Sequence, residues 1–152
     1  MKRAPMRTSM IALTAAMLGG FVLSGFVAAQ VQPQPLLPEQ ASWFSPPAVP
    51  ALRAAWLVGA EQAAGPYLLR VRLVAGGRFP PHTHPDTRYT TVLSGTLYVG
   101  FGERVDETAV VAVPAGAIYE APAGVPHWVW AKDGDVEYQE SGVAPTATRL
   151  LR

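Results

Sequence analysis

The 152-residue chain contains no cysteine, which excludes a disulfide framework, a thiolate metal site and a cysteine nucleophile. Charge is also scarce, at 15% of residues, and the 12 basic and 11 acidic side chains nearly cancel. No cluster of Lys and Arg forms a basic patch, so nucleic acid is not an expected partner. No segment sustains a helical period over three turns, which argues against an α-rich fold. No glycine-rich loop lies between a strand and a helix, so nucleotide phosphates have no cradle. Beyond residue 29 no apolar run reaches spanning length, and the remainder is expected to be soluble. Histidine is rare as well, limited to His82, His84 and His127, which leaves none spare for a serine-type triad.

What is present begins with an export pattern. Lys2, Arg3 and Arg7 precede an uncharged apolar stretch from Ile11 to Phe26, and Val27-Ala28-Ala29 offers a small-residue cleavage site. Residues 1–29 therefore read as a signal peptide, with Gln30 as the new N-terminus and a periplasmic or secreted location. A retained N-terminal anchor is the alternative. Without residues 1–29 the chain has 9 basic and 11 acidic side chains, a balance of −2. Residues 30–51 hold Pro33, Pro35, Pro38, Pro46, Pro47 and Pro50, a density that disfavours helix and sheet and predicts an extended arm. Trp43 and Phe44 interrupt it and are expected to pack on the domain or on a second subunit.

From Leu52 the pattern is strand-like. Tyr67, Leu69, Val71 and Leu73 alternate with Leu68, Arg70 and Arg72, the period of a half-buried strand. Thr90–Leu93 and Thr96–Phe101 are two strand candidates, and Ser94-Gly95 between them predicts a tight hairpin. Short runs at Ala109–Val113, Ala117–Glu120, His127–Ala131 and Val136–Ser141 are each bounded by Gly, Pro or Asp. Asp106 to Ala109 fits one short turn. Many short strands with regular turns predict an all-β antiparallel sandwich or barrel over residues 52–145, with 146–152 as a tail.

The histidines sit in a punctuated pattern. Gly76 is followed after five residues by His82-Thr83-His84, then by Arg88 and Gly95; Gly116 is followed by Pro122, Gly124, His127 and Ala131. This resembles the paired signature of the cupin superfamily, G-x5-H-x-H-x3-E-x6-G and G-x5-P-x-G-x2-H-x3-N. The resemblance implies a jelly-roll barrel over roughly residues 52–142, with His82, His84 and His127 as ligands of a divalent metal. Alternate strand residues share a face, so His82 and His84 aim at one spot, and His127 would complete the trio from another strand. Neutral imidazole suits Fe(II), Ni, Cu, Zn and Co, while Mn favours added oxygen ligands.

Two positions depart from the family pattern: Arg88 stands where a metal-binding glutamate is usual, and Ala131 where asparagine is common. A guanidinium has no lone pair to donate, so a histidine-only complex would carry +2. If Arg88 also faces inward, repulsion at about 6 Å and an effective dielectric of about 20 is on the order of 3 kcal/mol. One reading has Arg88 holding a carboxylate or enolate whose oxygen also reaches the metal; in a redox-free reaction Tyr89, Glu120 or a metal-bound water would move the proton. The other has Arg88 turned outward and paired with Asp86 or a neighbouring acid. Asp86, Tyr89, Glu120, Glu137 and Gln139 are the candidate oxygen donors.

By parity, an inward His127 takes Val129 and Ala131 inward and leaves Trp128 and Trp130 outside. Two bare tryptophans call for a cover, either the N-terminal arm or a partner subunit, and cupins are often dimers, so a homodimer is expected. The overall expectation is an exported metal-binding protein for a small, anionic molecule. Three-histidine cupins point by resemblance to non-haem iron dioxygenase chemistry. A redox-free isomerase, decarboxylase or hydrolase, or a non-catalytic binding or sensing module, are the alternatives.

Overall fold

The period-two alternation between Gly65 and Leu73 becomes a strand with Tyr67, Leu69, Val71 and Leu73 buried and the residues between them less so. Each aliphatic side chain of this kind contributes about 1.5–3 kcal/mol when fully removed from water. The computed structural model describes residues 34–151, and the expected signal peptide lies outside the described residues. Ten strands follow in chain order: β1 (Leu52–Val58), β2 (Gly65–Leu73), β3 (Arg78–Thr83), β4 (Arg88–Ser94), β5 (Thr96–Phe101), β6 (Val110–Pro114), β7 (Ile118–Ala121), β8 (His127–Trp130), β9 (Val136–Ala144) and β10 (Arg149–Leu150). They form two five-stranded sheets, β1-β2-β9-β4-β7 and β10-β3-β8-β5-β6. Every pairing is antiparallel. The core lies between the sheets and is built from inward residues such as Val71, Val92, Leu97, Val99, Val129 and Tyr138. This is the double-sheet jelly roll that the strand pattern predicts. Asp106–Ala109 closes as a turn, the Ala109 N–H donating to the Asp106 carbonyl.

Three expectations need correction. Ser94-Gly95 is not a hairpin: β4 pairs with β7 and β9 in one sheet, whereas β5 pairs with β6 and β8 in the other. The dipeptide is a corner where the chain crosses between sheets. Gly95 is needed there because its φ is +74° and a Cβ would strike the Asp135 carbonyl oxygen. Residues 146–152 are not a loose tail either, since Arg149 and Leu150 pair with Thr83 and His82 of β3.

The third correction concerns the tryptophans. Trp130 does face out, stacked under Arg78 at 4.0 Å. Trp128, however, is only 1% exposed. Its indole lies across Gly100, its register partner on β5, where any Cβ would collide with the ring. Among the described residues there is therefore no bare two-tryptophan patch. The arm packs elsewhere. Phe44 bridges to Ala54 of β1, and the Trp43 ring is covered by the Arg72 guanidinium at 4.2 Å.

Candidate metal centre

His82 lies in β3 and His127 begins β8, where the two are register partners across the sheet. His84 follows just past the end of β3. The Pro80-Pro81 pair, which lacks backbone donors, coincides with a register irregularity between Phe79 and His82. All three histidines are buried, with ring centroids 4.2 to 5.2 Å apart. One nitrogen from each lies within 4.8 Å of the others.

The other nitrogens are fixed by backbone carbonyls. Nδ1–H of His82 donates to Pro80 O at 2.7 Å, that of His84 to Ala147 O at 2.9 Å, and that of His127 to Val125 O at 3.0 Å. A carbonyl only accepts, so each Nδ1 carries the proton and each Nε2 presents a lone pair. Nε2 of His84 is buried without any hydrogen-bond partner, which in a native site calls for an occupant. Burial, reinforced by the neighbouring rings, pulls the His82 pKa down to about 3. Burial and the Arg88 charge do the same for His84, to about 3, and burial lowers His127. Three neutral imidazoles with oriented lone pairs fit a divalent ion, and an N–H donated to a carbonyl is the usual support for such ligands.

Arg88 is inward, 3% exposed, and also paired. Its Nη1 donates to Glu140 Oε2 at 2.6 Å, its Nη2 to Thr146 Oγ1 at 2.9 Å, and its Nε faces Asp86 Oδ1 at 3.8 Å. Burial alone would lower its pKa, but Glu140, Tyr67 and Asp86 outweigh that and raise it. Arg88 therefore points in and already has its acid. Asp86 is occupied too, accepting from the Tyr67 hydroxyl at 2.6 Å and from Thr146. Burial and that hydrogen bond raise the Tyr67 pKa, so it stays a neutral donor.

The remaining candidates lie elsewhere. Tyr89 alternates with Arg88 and is 48% exposed. Glu120 is exposed on β7. Glu137 and Gln139 bind Arg70 and Arg72 on the face of β9 opposite Val136 and Tyr138. The residue that does enter is Glu140, next on the inward side of the same strand. Its signal was legible: Val136, Tyr138 and Glu140 share one parity, and an acid there continues an apolar inward row. Glu140, Arg88, His82 and His84 line one cavity of about 290 Å³. Its other walls are largely apolar, including Trp56, Leu69, Val71 and Phe79, and the arm contributes Phe44 and Val49.

A jelly roll with three buried histidines gathered at two neighbouring strands is the arrangement of a cupin-type site that could hold a metal ion. Comparison with known proteins agrees: the cupin domain family profile matches residues 69–139, and that match supports the resemblance to the cupin superfamily. It is 37% identical over 65 residues to rice (Oryza sativa subsp. japonica) germin-like protein 1-1, covering 42% of this chain and 30% of that protein. With Arabidopsis thaliana germin-like protein subfamily 2 member 1 it shares 37% over 73 residues, 47% of this chain and 33% of that one. The chain thus spans about a third of the curated relatives it matches. Among solved structures, the polyketide cyclase RemF from Streptomyces resistomycificus superposes with a TM-score of 0.66 at 16% identity, over 80% of this chain and 87% of that one. DMSP lyase DddQ from Ruegeria pomeroyi gives 0.62 at 18% identity, over 74% and 61%. At those identities the likeness is one of fold.

Proposed function

We propose that this chain is a mononuclear metal-binding cupin that acts on a small, weakly acidic molecule with an apolar body. The observation that carries the reading is the buried, partnerless Nε2 of His84, grouped with His82 and His127 and lining, with His82, a largely apolar cavity. A divalent ion supplies Lewis acidity there, and iron would add oxygen chemistry of the dioxygenase type. The three imidazoles are neutral, so an anionic oxygen of the ligand is matched to the ion itself. Arg88 is already committed to Glu140 and does not serve as the ligand's main countercharge. Trp56, Leu69, Val71 and Phe79 hold the ligand's apolar part and keep water out. Two fold relatives are named as enzymes, a polyketide cyclase and a DMSP lyase, which supports reading the cavity as a small-molecule site.

A redox-free reaction is the second reading, favoured by Glu140, a carboxylate in the cavity wall able to take a proton. Metal analysis of the protein purified from its host separates these. About one equivalent of metal, lost in the His82→Ala/His84→Ala variant, is expected for a mononuclear site. Iron favours the oxygen chemistry; zinc, nickel or manganese favours the redox-free reading. No metal even after reconstitution overturns both.

Export is part of the same proposal, supported by the basic start and apolar stretch before Ala29. N-terminal sequencing of the protein from the periplasm or medium should begin at Gln30. A start at Met1 would overturn cleavage.

A further inference from the structure

A dication bound by three neutral imidazoles has no compensating charge among its ligands, so the nearest fixed charges decide how well it is held. Here those charges form one buried cluster, Asp86, Arg88 and Glu140. Two carboxylates against one guanidinium leave a formal −1, the charge a single ligand glutamate would have supplied. The oxygens of the cluster are not equivalent. Both oxygens of Asp86 accept from hydroxyls, Oδ2 from Tyr67 and Oδ1 from Thr146. Glu140 Oε2 is held by Arg88. Glu140 Oε1 has no hydrogen-bond partner among the described residues, and the side chain is 10% exposed, on the wall of the cavity floored by His82 and His84. A carboxylate oxygen with no protein donor is thus left on a residue that lines the same cavity as His82 and His84.

We propose that Glu140 does from β9 what the residue at position 88 cannot: it offsets the metal's charge and accepts, at Oε1, a hydrogen bond from the water or substrate hydroxyl bound beside the histidines. Arg88 is its positioning residue, fixing Oε2 so that Oε1 points into the cavity. The inference rests on the metal-centre reading above.

The test is titration of the metal-free full chain with Co²⁺, followed by visible absorption across a pH series. Glu140→Gln preserves shape and is expected to weaken Co²⁺ binding about 10-fold, within the range seen when groups supporting metal ligands are removed. It should also lower the pH at which the cobalt spectrum changes, because without the Glu140 charge and acceptor the dication acidifies a bound water more strongly. Arg88→Met/Glu140→Gln restores the cluster's formal −1 through Asp86 and should recover most of the affinity, leaving only the part of the spectral shift that comes from the lost acceptor. Wild-type affinity together with a wild-type spectral pH in Glu140→Gln would overturn the proposal and leave the histidine centre intact. A lowered melting temperature with both readouts unmoved would do the same, showing a purely structural residue. If His84→Ala binds Co²⁺ as tightly as the wild type, the metal-centre reading itself has failed, and this inference with it.

Discussion

Strand β9 carries an ionic cluster on each of its faces, and the two make opposite statements. Outside, Glu137 and Gln139 bind Arg70 and Arg72 across to β2, with Arg72 still 41% exposed. Inside, Glu140 binds Arg88 of β4 with both partners nearly closed off from water. Distances are alike, 2.8 Å outside and 2.6 Å inside. What differs is the solvent each charge would meet if its partner left. A surface acid released from its arginine is rehydrated at once, and such pairs are worth about 0–1 kcal/mol. A buried acid so released stays buried and uncompensated. The outer cluster is therefore a register pin for β2 on β9, while the inner one is an element the fold cannot lose piecemeal.

The largest effect should follow from Arg88→Met. Leaving Glu140 and Asp86 without their cation is expected to destabilise the metal-free protein by about 3–5 kcal/mol in chemical denaturation. A loss below about 1 kcal/mol would erase the distinction between the two faces. Adding Glu140→Gln should recover a large part of the deficit, because residues in one network are not additive.

A smaller effect comes from pH. His82 and His84 are held near pKa 3 against about 6.5 when unfolded. Between those values the unfolded chain binds more protons, so stability rises with pH through the window. It is fully present above about 6.5 and is lost as pH falls toward 3. The melting temperature of metal-free protein should drop between pH 6.5 and 5, and a His82→Gln/His84→Gln variant should flatten that slope. The outer face behaves differently: burial would raise Glu137, but hydrogen bonds from Arg70 and Arg72 outweigh it and lower its pKa. Its contribution is present at neutral pH and is lost only in more acidic solution. The smallest effect is expected from Glu137→Ala, within about 1 kcal/mol and further reduced by added salt. A larger loss would mean that the outer cluster also behaves as a buried one.

Much of this architecture was legible in the residues. Alternation from Tyr67 to Leu73 marks an inner row because apolar side chains on one parity can only be buried together. The spacing of His82, His84 and His127 marks the centre because strand parity and glycine punctuation are local properties. The Ser94-Gly95 corner was misread for a corresponding reason. A glycine with positive φ serves a hairpin or a sheet-to-sheet crossing equally, and only long-range pairing decides between them. Arg88 was ambiguous because its direction depends on Glu140, 52 positions away. The β10 strand offered no periodicity at all, since two residues are too few to show one. Tyr89 was drawn in by proximity to Arg88, although the parity that turns Arg88 inward turns its neighbour out.

One consequence of β10 concerns time during synthesis. The carbonyl that orients His84 belongs to Ala147, and the hydroxyl bridging Arg88 to Asp86 belongs to Thr146. A nascent chain that has reached Pro145 already owns all three histidines, yet none of these supports. The imidazole at position 84 gains its carbonyl partner only once the segment through Leu150 has docked beside β3. The segment that docks with the last strand is thus what fixes the ring whose Nε2 is buried without a partner.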